Sequence, residues 1–347
     1  MDGLRTLLDD AVAARVVPGA ALAAGVGART VVRVTAGETD AGAPVGGDTV
    51  FDLASLTKVM ATTPAVLALA DAGELAPADP VGRWVPGFRD GERATITLRH
   101  LLTHTGGLLD SRRYYRFCAT ADEVLAAVTA EPLVAAPGER VVYSDLGFLL
   151  LGRVVERVTG RPLDEACAEL VHRPLGLART GYRPLRHPLL AGGPFAVTAE
   201  PGAKAAVGRP HDRNAQACGD VAGHAGLFAV LDDAAAYAAW WAGPAAGPVS
   251  PATRAAAMRC ATEGLGGRRG LGWLVHGDGD EPHDFLGPEW SPAAVLHTGF
   301  TGTSIAVDPA RGWWAVLLTA AVHLGRDRPE VGELRARVHH QVAAVLS

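Results

Sequence analysis

Strand-like alternation lies near the two ends of this chain of 347 residues, and helix-like segments fill the middle. Residues 18–40 predict two strands joined around Gly27 and Ala28. Residues 271–277 and 302–322 predict further strands, with a turn from Asp308 to Gly312. Strands so far apart in sequence share a sheet only if the chain ends meet. This distribution therefore restricts the fold more than any other feature.

The predicted fold class is α+β: an antiparallel sheet built from N- and C-terminal strands, flanked by helices, with an inserted, mainly helical lobe. We expect one domain over residues 1–347, with an α/β lobe of about 1–75 and 265–347 and a helical lobe of about 76–264. Residues 55–72 are mostly apolar and predict a buried helix with a possible kink at Pro64.

Composition narrows the possible partners. Hydrophobic residues make up 48% of the chain and charged residues 20%, which is typical of a globular protein. The net charge of −5 and the lack of a basic stripe argue against nucleic acid and anionic membranes as partners.

The four cysteines form no C-x-x-C pair, which favours free thiols in a reducing compartment: Cys118, Cys167, Cys218 and Cys260. Neither a signal-peptide pattern nor a membrane-length apolar run is present, so we predict a cytoplasmic protein with no membrane partner.

Lysine is rare in this chain. Of 32 basic residues only Lys58 and Lys204 are lysines, and the seven serines make a chance Ser-x-x-Lys about a 3% event. An arginine is a permanent cation, whereas a lysine amine can lose its proton and act as a base. The sequence therefore singles out Ser55 and Lys58 in FDLASLTKVM as a candidate catalytic pair.

A helix would place Ser55 and Lys58 on one face, with the hydroxyl and the amine within reach of each other. We expect the helix to begin at or just before Ser55, where free backbone N–H groups and the helix dipole favour an oxyanion and disfavour a charged lysine. Those features would make Ser55 an activated nucleophile. The alternative is structural: Ser55 as an N-cap and Lys58 as a surface residue.

Two further segments carry candidate site residues. In VVYSDLGFLLLG, Tyr143 could transfer a proton beside Lys58, and Asp145 is placed to cap the following helix. The alternative is a core tyrosine with a capping aspartate. In LHTGFTGTSIAVDP, the edge formed by His297, Thr298 and Gly299 could hold a substrate.

We expect the backbone N–H groups of Phe300 and Ser55 to form an oxyanion hole. A surface hairpin with a structural histidine is the alternative at this segment.

Together these segments resemble the penicillin-recognising serine hydrolases: class C β-lactamases, D-alanyl-D-alanine carboxypeptidases and their esterase relatives. The resemblance covers about residues 18–320 and includes RHLLTHTGGL, PGERVVYSDLGFLLLGRVVERVTG and DVAGHAGLF, which are typical of the esterase-like branch. It implies that Ser55 is the nucleophile, Lys58 its base and Tyr143 the proton relay.

Two positions depart from the β-lactamase pattern. Asp145 replaces the usual Asn, and His297 replaces the Lys before Thr-Gly. An ionised Asp cannot donate to a substrate carbonyl, and the Lys charge would help to hold a substrate carboxylate. We therefore expect His297, Thr298, Gly299 and Asp145 to bind a small neutral ester or amide.

Three functions follow. The first is a serine esterase or amidase, and the second is an ATP-independent transacylase that passes the acyl group from an ester to an amine acceptor. The third, a non-catalytic sensor, is disfavoured by the intact Ser55, Lys58 and Tyr143, and a true β-lactamase or carboxypeptidase is less favoured.

We predict no cofactor and no metal. His100 and His104 have metal-like spacing but no third ligand, and we expect His211, Asp212 and His224 to line the cleft rim. The sequence does not determine the oligomeric state.

Overall fold

The computed structural model describes residues 2–39, 42–199, 207–277, 283–326 and 328–347. Within these ranges the strands are β1 (Gly19–Val26), β2 (Arg29–Gly37), β3 (Phe51–Asp52), β4 (Thr180–Tyr182), β5 (Leu227–Ala229), β6 (Leu274–Val275), β7 (Val295–Thr298), β8 (Ser304–Asp308) and β9 (Trp313–Thr319). The α-helices are α1 (Asp2–Ala13), α2 (Thr63–Asp71), α3 (Leu98–Leu102), α4 (Ala121–Ala130), α5 (Asp145–Thr159), α6 (Leu163–Cys167), α7 (Arg213–Ala217), α8 (Leu231–Ala242), α9 (Pro251–Ala257) and α10 (Pro329–Leu346). Two π-helical turns cover Lys58–Thr62 and Ala168–His172.

The larger sheet joins the two ends of the chain. Its six strands run in the order β2-β1-β9-β8-β7-β6, and every neighbouring pair is antiparallel. The pairing of β1 with β9 is the link between the N- and C-terminal segments. The predicted fold class is therefore confirmed, and the lobe boundaries stay a prediction.

Apolar residues cover both faces of this sheet. Along β9, Ala315 and Leu317 pack toward α1 and α10, while Val316 and Leu318 pack toward the cluster that contains α2, α5 and α8. Side chains of a strand alternate between its two faces, so a sheet covered on both sides reads as nearly continuous hydrophobic sequence. This arrangement explains why every residue of β9 is buried.

A second, three-stranded sheet has the order β3-β5-β4 and was not predicted. Its strands are two or three residues long, too short to show an alternating pattern. The smaller sheet matters for the site, because β3 ends at Asp52, three residues before Ser55.

The buried helix after Ser55 changes its winding just before Pro64. Proline has no N–H to donate to the carbonyl of Met60, four residues earlier. His172 Nε2 lies 3.2 Å from that carbonyl oxygen and donates to it instead, and the N–H of Thr63 reaches back five residues to the Lys58 carbonyl. The predicted kink is thus a π-helical turn that begins at Lys58.

None of the helices among the described residues is long and apolar enough to cross a membrane.

Candidate active site

Ser55 lies in a tight turn between β3 and the first helical residues. Ala54, directly before it, has φ of 46°, a left-handed conformation that costs a non-glycine residue free energy. The Asp52 carboxylate stabilises this turn, because its Oδ1 accepts the Ala54 N–H at 2.9 Å. Among the described residues no acceptor takes the N–H of Ser55, so that donor remains available to a ligand.

Lys58 is fully buried and has three acceptors around its amine. Nζ lies 2.9 Å from Ser55 Oγ, 2.8 Å from Asp145 Oδ1 and 3.2 Å from the His224 carbonyl oxygen. Burial alone would lower the pKa of Lys58, but attraction to Asp145 and Tyr143 outweighs burial and raises that pKa above its ordinary value. The expectation that the helix terminus disfavours a charged lysine is therefore wrong here, because the nearest charge is a carboxylate.

Tyr143 lies beside this pair, and His104 holds it in place. Lys58 Nζ is 5.1 Å from the centroid of the Tyr143 ring, and the centroid of the His104 ring is 4.5 Å from that of Tyr143. His104 also accepts hydrogen bonds from both neighbours of Tyr143: its carbonyl takes the Val142 N–H at 2.8 Å, and its Nδ1 takes the Ser144 N–H at 3.0 Å. His104 itself has φ of 58°.

Asp145 is not the cap of α5. Ser144 has the extended backbone of an N-cap, and its Oγ accepts the Gly147 N–H, while Asp145 is already the first helical residue. The shift by one position turns the Asp145 carboxylate toward Lys58 instead of back onto its own helix. The sequence predicted that Asp145 caps its own helix, whereas in the structure Asp145 forms an ion pair with Lys58, which is distant in sequence.

The edge of β7 forms the opposite wall. His297 Nδ1 donates to the Thr298 carbonyl at 2.9 Å, and burial together with the charges of Lys58 and Arg269 lowers the pKa of His297 well below its usual range. Gly299 has no room for a side chain, since a Cβ there would lie 2.1 Å from Thr303 Oγ1.

Phe300 projects from the end of this edge. Its side chain is 52% exposed, and its ring stacks on His211 with centroids 5.5 Å apart. Its N–H has no acceptor among the described residues, as at Ser55. The oxyanion hole formed by these two N–H groups stays a prediction.

Two clefts meet at Ser55. One, of about 470 Å³, contains Arg269, Arg335 and the β7 edge, and the other, of about 450 Å³, contains Asp145 and Asp212. Both clefts are bounded by Ser55, Tyr143, Phe300 and Arg326.

Sequence reasoning missed the arginines of the first cleft. Arg335 reaches it from α10, and its Nη2 donates to the carbonyls of Gly299 at 2.6 Å and Thr303 at 3.2 Å. The Arg269 guanidinium lies 6.0 Å from the Tyr143 ring centroid. Among 30 arginines no sequence signal distinguishes these two from solvated ones.

The three residues expected at the cleft rim lie at the second cleft or beside a residue that lines it. His211 and Asp212 line the second cleft, and His224 lies buried below it with Nε2 3.0 Å from Asp212 Oδ1. Asp145, Asp212 and His224 are the one group in the described ranges with spacing suited to a metal ion. The Lys58 ammonium already lies against Asp145, and a second cation there would be repelled, so we assign no metal ligands.

Four of the tryptophans of the chain lie away from the two clefts. All four are buried in the core and border neither cleft: Trp240, Trp241, Trp313 and Trp314. Among the large hydrophobic residues of the two clefts, Phe300 is the exposed one, because its turn projects from the sheet edge.

Comparisons with known proteins find a matching family model and related proteins. The Beta-lactamase family model matches residues 4–340. A protein of Escherichia coli (strain K12) named "Putative D-alanyl-D-alanine carboxypeptidase" is 33% identical over 306 residues, which are 79% of this chain and 70% of that protein. An N-acetylmuramyl-L-alanine amidase of Bacillus subtilis (strain 168) is 32% identical over 311 residues, covering 81% and 70%.

Two kinds of solved structure share the fold. EstCE1, described as a hydrolase with promiscuous acyltransferase activity, superposes with a TM-score of 0.77 at 23% identity, over 97% of this chain and 98% of that one. Unliganded simvastatin synthase from Aspergillus terreus has a TM-score of 0.76 at 21% identity, over 99% and 98%.

Proposed function

Because the chain belongs to the beta-lactamase family, whose members are serine hydrolases and acyltransferases, we propose that it is a serine-dependent acyl hydrolase acting on a small ester or amide. The observation that carries the proposal is the 2.9 Å contact between Ser55 Oγ and Lys58 Nζ at the junction of two clefts. A nucleophile and a base within hydrogen-bond reach are the minimum requirement for covalent acyl transfer.

In the proposed reaction, Ser55 Oγ bonds to the acyl carbon as its proton passes to the Lys58 amine in its neutral form. The N–H groups of Ser55 and Phe300 stabilise the resulting oxyanion. Tyr143 then donates a proton to the leaving oxygen or nitrogen as its bond to the acyl carbon breaks, and regains a proton from Lys58. In hydrolysis, a water oxygen bonds to the acyl carbon as its proton passes through Tyr143 to Lys58. The Ser55 ester bond then breaks, Ser55 Oγ takes the proton back from Lys58, and the acid is released.

Positive charge in the first cleft widens the range of substrates to test. Replacement of lysine by His297 removes one cation, but Arg269 and Arg335 line the same cleft. Substrates with a carboxylate on the leaving group therefore belong in the assay beside neutral esters.

A transacylase is the second candidate, and the paired clefts favour it. Each cleft has the volume of a typical small-molecule site, so one can hold the acyl group while an amine acceptor enters the other. The description of EstCE1 combines the same two activities. In transfer, the acceptor nitrogen bonds to the acyl carbon as its proton passes through Tyr143 to Lys58, and the Ser55 ester bond breaks as Ser55 Oγ takes that proton back from Lys58.

Intact-mass spectrometry separates the two candidates. The protein is incubated with a p-nitrophenyl ester, with a penicillin in a parallel tube, and chased with water alone or with a panel of amines. An adduct on Ser55 that water clears indicates a hydrolase, and an adduct that only an amine clears, as an amide, indicates a transacylase. The Ser55→Ala variant must show no adduct, and label that survives on the same peptide would refute the assignment.

A further inference from the structure

We propose that Asp145 holds Lys58 in its protonated form and so sets the pH at which Ser55 becomes reactive. Asp145 is then a positioning residue that acts through Lys58, not a group that contacts the substrate carbonyl. The inference rests on the proposed function, because it assigns a role within the same Ser55–Lys58 pair.

Three oxygen atoms surround the Lys58 amine. The Asp145 carboxylate and the His224 carbonyl have no proton to donate: Asp145 Oδ1 forms an ion pair with Nζ at 2.8 Å, and the His224 carbonyl accepts an N–H at 3.2 Å. The third direction points at Ser55 Oγ, 2.9 Å away.

The same geometry fits both protonation states. In the ammonium form the third direction carries an N–H that donates to Ser55 Oγ. In the neutral form it carries a lone pair that accepts the Ser55 proton. Activation of the serine therefore depends on one proton.

The charges around Lys58 determine whether its amine keeps that proton at a given pH. Several titratable or charged groups face the amine or its immediate neighbours: Asp145, Tyr143, Asp212, His224, His104, His297 and Arg269. Burial lowers the pKa values of His104 and His297, which favours their neutral forms. Asp145 is the carboxylate in direct contact with Lys58, whereas Asp212 contacts His224.

The substitution Asp145→Asn separates the effect of the Asp145 charge on Lys58 from the effect of its acceptor oxygen. An asparagine keeps an oxygen that can accept the Lys58 N–H but carries no charge. An opposite charge within about 4–6 Å typically moves a pKa by about 1 to 3 units. We therefore expect Lys58 in this variant to lose its proton about 1 to 3 pH units lower than in the wild type.

The scarcity of lysine permits a direct measurement. Protein labelled with ¹³C at lysine Cε gives two signals, and Lys204→Arg leaves Lys58 alone; Lys204 lies outside the described residues. We expect the wild-type Lys58 signal not to titrate between pH 6 and about 10, and the Asp145→Asn signal to titrate within that range. A wild-type midpoint below about 9 would overturn the proposal, even if the variant does not fold.

Kinetics supply the second readout and the matched control. The acid limb of the Ser55 acylation rate should move to lower pH in Asp145→Asn, by the same amount as the NMR midpoint. Asp212→Asn removes a carboxylate of the same cluster that contacts His224, so its midpoint should move less. Equal shifts in the two variants, or unchanged titration in Asp145→Asn, would contradict the inference. Failure of the wild type to acylate at any pH would refute the proposed function but leave the NMR titration interpretable.

Discussion

Asp52 gives the clearest quantitative prediction, because one buried carboxylate underlies the nucleophile turn. Its side chain is 1% exposed, and it accepts the Ala54 N–H at Oδ1 and the His211 N–H at Oδ2, at 2.9 and 2.7 Å. The substitution Asp52→Asn removes the charge and retains the shape. We expect it to change how the stability of the protein depends on pH.

The magnitude follows from the pKa. Burial raises the pKa of Asp52 from 3.8 to about 6, against the lowering effect of its two backbone hydrogen bonds and with a small contribution from Asp212. A shift of about 2.2 units at about 1.36 kcal/mol per unit corresponds to about 3 kcal/mol. The native carboxyl binds its proton more tightly than the unfolded one, so this stabilisation is complete below pH 3.8 and is lost as the pH rises through about 6.

Urea unfolding at pH 4.5 and at pH 7 measures the effect. Over that interval about 2 of the 3 kcal/mol should be lost from the wild type and not from Asp52→Asn. The hydrogen bond to His211 that the amide cannot reproduce lowers the stability of the variant at both pH values, so it cancels in the comparison. The exposed Asp90 provides the control, and Asp90→Asn should track the wild type. Parallel curves for Asp52→Asn and the wild type would refute the reasoning.

Three further predictions concern the site. Lys58→Arg keeps a cation that cannot act as a base, so acylation should fall about 100- to 10,000-fold, and a wild-type rate in stopped-flow assays would exclude Lys58 as the base. Gly299→Ala should lower kcat about 100-fold, because the new Cβ displaces Thr303, and an unchanged kcat would show that the turn yields without affecting the site. His104→Leu should slow acylation about 10- to 100-fold, because Tyr143 is no longer held in place. His104→Asn should recover most of the acylation rate, because asparagine tolerates a positive φ and offers an acceptor to the Ser144 N–H. Equal acylation rates in the two variants would contradict a positioning role for His104.

The sequence predicted the elements that depend on local pattern. The terminal strands show their alternation within a few residues, and the hairpin turn at Gly27 and the one after Asp308 lie where expected. Ser55 and Lys58 are three residues apart, so local geometry brings them together. The short strands β3, β4 and β5 carry no such pattern and were missed.

Site features that depend on distant parts of the chain could not be predicted. Asp145 was expected to cap its own helix, but Ser144 does so, and Asp145 faces Lys58. Arg335 reaches the Gly299 carbonyl from the last helix of the chain. Neither contact leaves a signature in the surrounding residues.

The sequence by itself determined the family, the fold class and the identity of the candidate nucleophile and base, because each of these is encoded in short motifs and periodic patterns. Only the tertiary structure decided the electrostatics of the site. The Lys58 amine contacts the carbonyl of His224, 166 residues away, and the Asp145 carboxylate from another helix. The charge of a buried lysine depends on all the groups that folding packs around it, and the combined attraction of Asp145 and Tyr143 outweighs the burial that would otherwise remove the Lys58 proton.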